Sequence, residues 1–201
     1  MGHFPLGRSL NGPGVDSSGA AKQGMAVSRL LLLCMVATEV WDAETKPKDF
    51  VCNRAARRAL NIVMEMEGAL GDCSHLRTLS SPVQLPCPAL HVASWENKSR
   101  QEKRGDIVAS LKVLVESVKV LQSLNLPTCG SSLLRRLETN VNNYLLVVTR
   151  LRLSGPAVEP ALSCVPRSTR SVSTLLLKYN QLLTGKVEML MVDLEDTCTS
   201  Q

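Results

Sequence analysis

Four stretches of this 201-residue sequence repeat apolar residues every three or four positions, a spacing typical of helices that bury one side. They run over about 50–72, over about 100–124, from Ser131 or Ser132 to about 151, and from Ser171 or Ser173 to about 190. No stretch alternates apolar and polar residues as a half-buried strand would. The sequence therefore predicts an all-α protein built from four amphipathic helices.

The lengths of the connections indicate how these helices are arranged. Only about six residues separate the second and third helices, so those two helices are antiparallel neighbours. The connections over about 73–99 and about 154–170 each hold three prolines, and each is long enough to run back along a helix of ~30 Å. Two long crossovers and one short turn predict an up-up-down-down four-helix bundle. An up-down-up-down bundle with two flexible loops is the alternative.

A short apolar run near the N-terminus indicates a secretory signal. Residues 30–37 read Leu-Leu-Leu-Leu-Cys-Met-Val-Ala and follow Arg29, which is the pattern of a signal peptide. The run is too short to cross a bilayer, which takes ~20 residues. We expect Met25 to be the working start, residues 1–43 to be an N-terminal extension with the signal peptide, and residues 44–201 to be the four-helix domain. The alternative is a buried helix at the start of the domain. The predicted location is extracellular.

The cysteines provide a test of the topology. Cys34 lies in the predicted signal, and its removal leaves six cysteines, which in a secreted chain indicate three disulfides. Six cysteines allow 15 pairings. In an up-up-down-down bundle two of them share one end of the bundle, two share the other end, and two lie mid-way along the crossovers. This arrangement selects Cys52–Cys198, Cys73–Cys129 and Cys87–Cys164. The last pair is selected only because both of its cysteines lie at a similar height along the bundle.

The sequence also carries one acceptor site for N-glycosylation. Asn97-Lys98-Ser99 has the required pattern and agrees with secretion. We therefore expect a glycan on Asn97.

No motif for catalysis or cofactor binding is found. The sequence has no glycine-rich phosphate loop, no Gly-x-Ser-x-Gly elbow and no Cys-x-x-Cys pair, which argues against an enzyme, a cofactor and a metal site. Aromatic residues are only 3% of the chain, and its basic pairs are dispersed over different helices, which argues against nucleic-acid binding. The net charge of +5 indicates a solvated surface or an acidic protein partner. Function is then expected on the helix surfaces.

Three segments of the chain resemble a known family. Residues 105–129 begin Gly-Asp-Ile-Val-Ala-Ser-Leu-Lys-Val and end Leu-Pro-Thr-Cys, residues 129–137 read Cys-Gly-Ser-Ser-Leu-Leu-Arg-Arg-Leu, and residues 180–191 contain Leu-Leu-Thr-Gly-Lys-Val. These motifs are similar to the second, third and fourth helices of the erythropoietin/thrombopoietin family of four-helix cytokines. The resemblance covers about 52–198.

This resemblance implies a function and a partner. It implies a secreted haematopoietic hormone, monomeric, that binds and dimerises a single-pass class I cytokine receptor without inserting into the membrane. The implied response is growth and differentiation of thrombocyte or megakaryocyte progenitors through JAK–STAT signalling. A red-cell growth factor of the same family is the first alternative, and a secreted carrier of an apolar ligand is the alternative from another class. Thr184 and Glu188 depart from the family, because basic residues are expected there beside Lys186.

Two receptor-binding faces follow from the resemblance and the helical spacing. The first is expected on the fourth helix, where positions 180, 184 and 188 share one side; its candidates are Tyr179, Asn180, Gln181, Thr184, Lys186 and Glu188. The second is expected on the first and third helices; its candidates are Arg54, Arg58, Asn61, Arg135, Arg136 and Asn142. Solvated surface charge is the alternative for each of these. Lys186 lies off the line of the first face, at the edge of the apolar stripe, and could instead cover the core with its stem.

Overall fold

The computed structural model describes residues 47–73, 76–124 and 126–198, all within one unit of the chain that spans Thr45–Gln201. The predicted signal peptide and N-terminal extension over 1–43 lie outside the described residues. The first part of the chain forms α1 (Pro47–Cys52), α2 (Arg54–Leu60), α3 (Val63–Gly71), β1 (Val83–Gln84) and α4 (Val92–Glu96). The remainder forms α5 (Arg100–Gln122), α6 (Thr128–Arg150), β2 (Ser168–Thr169), α7 (Val172–Leu182), a π-helical turn (Leu183–Val187), α8 (Glu188–Leu194) and a 3₁₀ turn (Glu195–Cys198).

The first bundle helix consists of three short helices, α1 to α3, so the prediction of one continuous helix over 50–72 was wrong. Two asparagines account for the interruptions. The side-chain oxygen of Asn53 accepts a hydrogen bond from the Ala56 amide at 3.0 Å, which starts α2. The side-chain oxygen of Asn61 accepts one from the Val63 amide at 3.2 Å where α2 ends. Asparagine side chains compete with helical backbone bonds, and this effect favours a cap over a helix interior.

The second bundle helix, α5, is close to its predicted range. Ser99 and Glu102 form a capping box at its start: the Ser99 hydroxyl accepts from the Glu102 amide at 3.2 Å, and the Glu102 carboxylate accepts from the Ser99 amide at 2.8 Å. The third, α6, begins at Thr128, three residues before the earlier of the two predicted caps. Pro127 precedes it with an extended backbone, and its carbonyl already accepts the first helical bond, from Ser131.

The fourth bundle helix comprises α7, the π-helical turn and α8. The hydroxyl of Ser171 caps α7 by accepting from the Thr174 amide at 3.2 Å, at one of the two predicted positions. Gly185 lies within the π-helical turn, where the Cβ of any other residue would lie 4.0 Å from the carbonyl oxygen of Pro88 in the first crossover. The glycine thus lies where the crossover comes close to the helix.

The helices pack as an up-up-down-down bundle, which confirms the predicted fold class. The first helix contacts the third and the fourth, and the second helix also contacts the third and the fourth. The two long crossovers meet in an antiparallel ribbon that the sequence did not predict, with Val83 paired to Thr169 and Gln84 to Ser168. No helix among the described residues is long and apolar enough to cross a membrane.

A buried polar link runs among the apolar side chains of the core. The rings of Phe50, Tyr144 and Tyr179 stack edge to face in series. The Tyr179 hydroxyl donates to the Asn140 side-chain oxygen at 2.8 Å, and the Asn140 amide donates to the Leu60 carbonyl at 2.8 Å. These bonds connect the fourth, third and first helices and satisfy polar groups that would be costly to bury alone.

Three disulfides join the same pairs that the topology selected. Cys52 is bonded to Cys198, Cys73 to Cys129, and Cys87 to Cys164, with Cα–Cα distances of 5.6, 6.0 and 5.8 Å. The first joins the end of α1 to the 3₁₀ turn that follows α8. The third connects the two crossovers.

Candidate functional site

A groove runs between the first and fourth bundle helices. Polar residues from both helices, exposed or partly exposed, line it above the buried rings of Phe50 and Tyr144. They are Arg54, Arg58, Asn61, Thr184 and Glu188. A direct hydrogen bond crosses between the two helices, because the Asn61 amide donates to the Asn180 side-chain oxygen at 3.1 Å. The groove therefore combines residues predicted for the first face with residues predicted for the second.

Arg57 lies beneath this groove and organises it. Its side chain is only 4% exposed. Its guanidinium donates to Glu188 at 3.1 and 3.0 Å, to Glu195 at 2.9 Å and to the carbonyls of Val51 and Phe50. Burial acts to lower the pKa of Arg57, but the two carboxylates outweigh it and the pKa is raised. These bonds attach α1 and α2 to the fourth helix.

Sequence reasoning missed Arg57, because it considered the basic pairs of the chain, of which Arg57-Arg58 is one, only as a possible nucleic-acid surface. The available signal was its position: Arg57 lies seven residues after Phe50 and three before Leu60, on the apolar side of the helix. A charged residue on that side requires a buried partner.

The structure places Asn180, Gln181, Thr184 and Glu188 at the surface or partly exposed, as expected for the first face. Tyr179 is fully buried and Lys186 is 1% exposed, so their assignment to an exposed receptor-binding face is corrected. Tyr179 belongs to the core through its bond to Asn140.

Lys186 is buried because it has a complete set of partners. Its ammonium donates to the Asp106 carboxylate at 2.9 Å, to the Ser163 hydroxyl at 2.8 Å and to the Cys87 carbonyl at 2.6 Å. Burial lowers the pKa of Lys186, while its bond to Asp106 acts in the opposite direction. Lys186 connects the second and fourth helices to both crossovers.

The structure places the residues predicted for the second face on two different surfaces. Arg135, Arg136 and Asn142 are exposed on α6, where Arg136 lies 3.1 Å from Glu65 of α3. Arg54, Arg58 and Asn61 line the groove beside the fourth helix instead. The prediction that all six form one surface is corrected, because the first helix has neighbours on two sides and these three residues lie on the side of the fourth helix.

Comparison with known proteins agrees with this architecture. Residues 51–201 match the family model described as erythropoietin/thrombopoietin. The chain belongs to this family.

Individual relatives in the family are distant in sequence. The chain is 29% identical to rat thrombopoietin and 28% identical to mouse thrombopoietin, in each case over 84% of its own length. It spans about half the length of these relatives, 51% and 46% respectively. It is 26% identical to erythropoietin from Takifugu rubripes over 82% of its own length and 91% of that protein.

Family membership confirms two predictions. The members are cytokines, so the chain is a cytokine rather than an enzyme. The disulfide-linked helical fold is that of the family. In the part of the chain that the structure describes, no group of three metal-binding side chains is assembled. Asn97 is exposed just before α5, and its glycosylation stays a prediction.

Acid is expected to weaken the contact between the first helix and the C-terminal end of this cytokine's fold. Hydrogen bonds from Arg54 and Arg57 lower the pKa of Glu195 from its ordinary value of 4.5 to about 2. A carboxyl whose pKa is lower in the folded state adds stability above 4.5, and this stability is lost as the pH falls towards 2. The stability difference between the native chain and Glu195→Gln should therefore shrink over that range in urea unfolding. Glu96→Gln, at an exposed carboxylate, is the control, and an equal pH response of both variants would contradict this assignment.

Proposed function

We propose that the chain is a secreted haematopoietic hormone that binds and dimerises a single-pass class I cytokine receptor. The proposed response is growth and differentiation of thrombocyte or megakaryocyte progenitors through JAK–STAT signalling. Membership in the family and the similarity to two thrombopoietins support this function. Three disulfides support secretion, because such bonds persist in oxidising compartments.

The observation that carries the proposal is the groove between the first and fourth helices. It presents charges of both signs and neutral hydrogen-bonding groups on two helices that Arg57 and the Asn61–Asn180 bond hold together. A surface that is already ordered loses little conformational entropy on binding. We assign the first receptor copy to this groove, with Arg58 and Thr184 as exposed contacts.

The second receptor copy is assigned to the third helix. Arg135, Arg136 and Asn142 are exposed on α6, on the other flank of the first helix from the groove. The neighbouring acid, Glu65, contacts Arg136 in an exposed ion pair that contributes little to stability. Charge reversal on α6 should consequently leave the fold intact. Basic side chains there would steer an acidic receptor surface.

Charge reversal on each face separates the two assignments. Arg135→Glu/Arg136→Glu is expected to keep one-to-one binding to the receptor ectodomain, abolish the two-to-one complex and abolish signalling, so that excess variant acts as an antagonist. Arg58→Glu is expected to weaken the one-to-one complex itself. Stoichiometry from light scattering and STAT phosphorylation in receptor-bearing cells are the measurements.

Arg152→Glu, an exposed charge outside both faces, is the matched control and should behave as the native chain. If the Arg135/Arg136 variant signals at native potency, the second copy binds elsewhere. If Arg58→Glu leaves one-to-one binding unchanged, the groove is not the first face.

A red-cell growth factor is the second candidate function. Its support is the similarity to the Takifugu erythropoietin, at 26% identity over 82% of the chain. Progenitor cultures treated with the pure chain separate the two functions, because a thrombocyte factor raises thrombocyte colonies and a red-cell factor raises erythroid colonies. The carrier hypothesis has no support from the family assignment.

A further inference from the structure

The two crossovers are joined to each other and pack on the second and fourth helices. We name it the crossover ribbon and define it as residues 76–90 and 161–171. Beyond the β1–β2 pairs, the Leu79 amide donates to the Arg170 carbonyl and the Leu85 amide to the Arg167 carbonyl, both at 2.7 Å. The Cys87–Cys164 disulfide joins the same two segments, and the Ser117 hydroxyl of α5 donates to the Gln84 carbonyl at 2.7 Å.

The charge of the crossover ribbon is entirely positive. Its segments contain Arg77, Arg167 and Arg170 and no aspartate or glutamate, so they hold three of the five net positive charges of the chain. All three arginines are exposed, and none forms an ion pair within the described part of the chain. Two exposed arginines elsewhere are engaged by carboxylates: Arg54 with Glu195 at 2.8 Å and Arg136 with Glu65 at 3.1 Å.

A fourth cation adjoins the crossover ribbon. Lys112 of α5 is exposed and lines a shallow groove with Val83 and Gln84 of β1. The acid of that groove, Glu116, is engaged by Lys119 at 2.9 Å. Unneutralised cations on a backbone that is already held in place form a site for a negatively charged ligand at low entropic cost.

The composition of the crossover ribbon selects the class of anion. Arginine presents a planar set of donors that matches the oxygens of sulfate and phosphate groups. The two segments contain no Phe, Tyr or Trp, so they offer neither stacking faces for single-stranded nucleic acid nor the aromatic residues typical of protein-binding hot spots. The disulfides indicate an extracellular setting.

We propose that the crossover ribbon binds sulfated polysaccharide of the cell surface and matrix through Arg77, Arg167, Arg170 and Lys112. In the crossover ribbon, β1 packs on the second helix and β2 on α7 of the fourth. No residue of the ribbon lines the groove assigned to the first receptor copy, and the second copy is assigned to α6 of the third helix. The hormone can therefore bind polysaccharide and receptor together, and the polysaccharide would concentrate it near its target cells. This inference goes beyond the receptor proposal and shares with it only the secretion of the chain.

The test uses heparin as the probe and two variants with equal loss of charge. Arg77→Ala/Arg167→Ala/Arg170→Ala is expected to weaken heparin binding roughly 10- to 100-fold at 0.15 M salt. The number of ions released on binding, measured from the salt dependence of the affinity, should fall by about two to three. Its receptor binding should be native. Arg58→Ala/Arg135→Ala/Arg136→Ala removes the same charge from the receptor faces and should keep heparin binding near the native value.

The possible outcomes separate this inference from the receptor proposal. Equal loss of heparin binding in both variants would mean that only the overall charge matters, and would overturn the proposal. A native chain that fails to bind heparin at 0.15 M salt, or that binds poly-glutamate more tightly, would also overturn it. Loss of heparin binding in the ribbon variant alone supports it, whatever the receptor measurements show.

Discussion

Lys186→Glu is expected to lower the free energy of unfolding by about 3–5 kcal/mol. The new carboxylate would lie beside Asp106, which is 2% exposed, in place of the ammonium now 2.9 Å from it. Asp106 would keep only Lys98, at 3.1 Å, as a charged partner. Two buried carboxylates repel each other, and the Ser163 hydroxyl and Cys87 carbonyl would lose their donor.

Urea unfolding of the disulfide-intact protein measures this loss. Lys186→Met keeps the apolar stem and removes the ammonium. It should cost less than Lys186→Glu, because it places no second carboxylate beside Asp106. Thr184→Glu places the same carboxylate two residues away at an exposed site and is the matched control, with an expected change below about 0.5 kcal/mol. If Lys186→Glu unfolds like Thr184→Glu, then Lys186 is not held in the buried cluster.

The second large effect is expected from the disulfide between Cys52 and Cys198. Its removal in Cys52→Ser/Cys198→Ser should cost ~4–5 kcal/mol, because the two cysteines are 146 residues apart and the crosslink restricts nearly the whole unfolded domain. The disulfide also holds the end of α1 beside the 3₁₀ turn that carries Glu195. Without it, the bonds from Arg54 and Arg57 to Glu195 would still join the first helix to this turn.

Urea unfolding and hydrogen exchange together check the effect. Amide exchange over residues 47–60 should accelerate in the Cys52/Cys198 variant. The control is Cys87→Ser/Cys164→Ser, which also removes one disulfide but should leave exchange over 47–60 unchanged, since that bond joins only the crossovers. A loss below about 1 kcal/mol in the free energy of unfolding, with native exchange over 47–60, would show that the disulfide is not needed to hold this end of the bundle.

Several features of this cytokine could be predicted from local sequence. The periodic stripe over 100–124 predicted α5 to within two residues, because its 23 residues form one regular helix with a capping box. Connection lengths predicted the order of the helices, and that order selected the cysteine pairs. These predictions succeed because helix formation, loop length and disulfide reach depend on residues near one another or on simple distances along a helix.

Other features depend on the partners that a residue meets on other helices of the bundle. Arg57 and Lys186 are charged residues in a sequence that gives no direct sign of Glu188, Glu195 or Asp106 beside them. The structure groups the candidates for the two receptor faces differently from the prediction for the same reason. A helical pattern shows which residues share a side but not which neighbour that side contacts. Arg77 of the crossover ribbon is far in sequence from Arg167 and Arg170, and only folding joins their segments, through the backbone bond from Leu79 to Arg170.

The sequence by itself determined the helical class, the up-up-down-down order, the disulfide pairs and the family. Only the tertiary structure decided which charges are buried, where the first helix is interrupted and which polar residues share a surface. The physical reason is that apolar periodicity reports burial on one helix at a time. The position of a charge is decided instead by partners on other elements, since a buried ammonium or guanidinium is stable only where folding brings carboxylates and carbonyls within bonding distance.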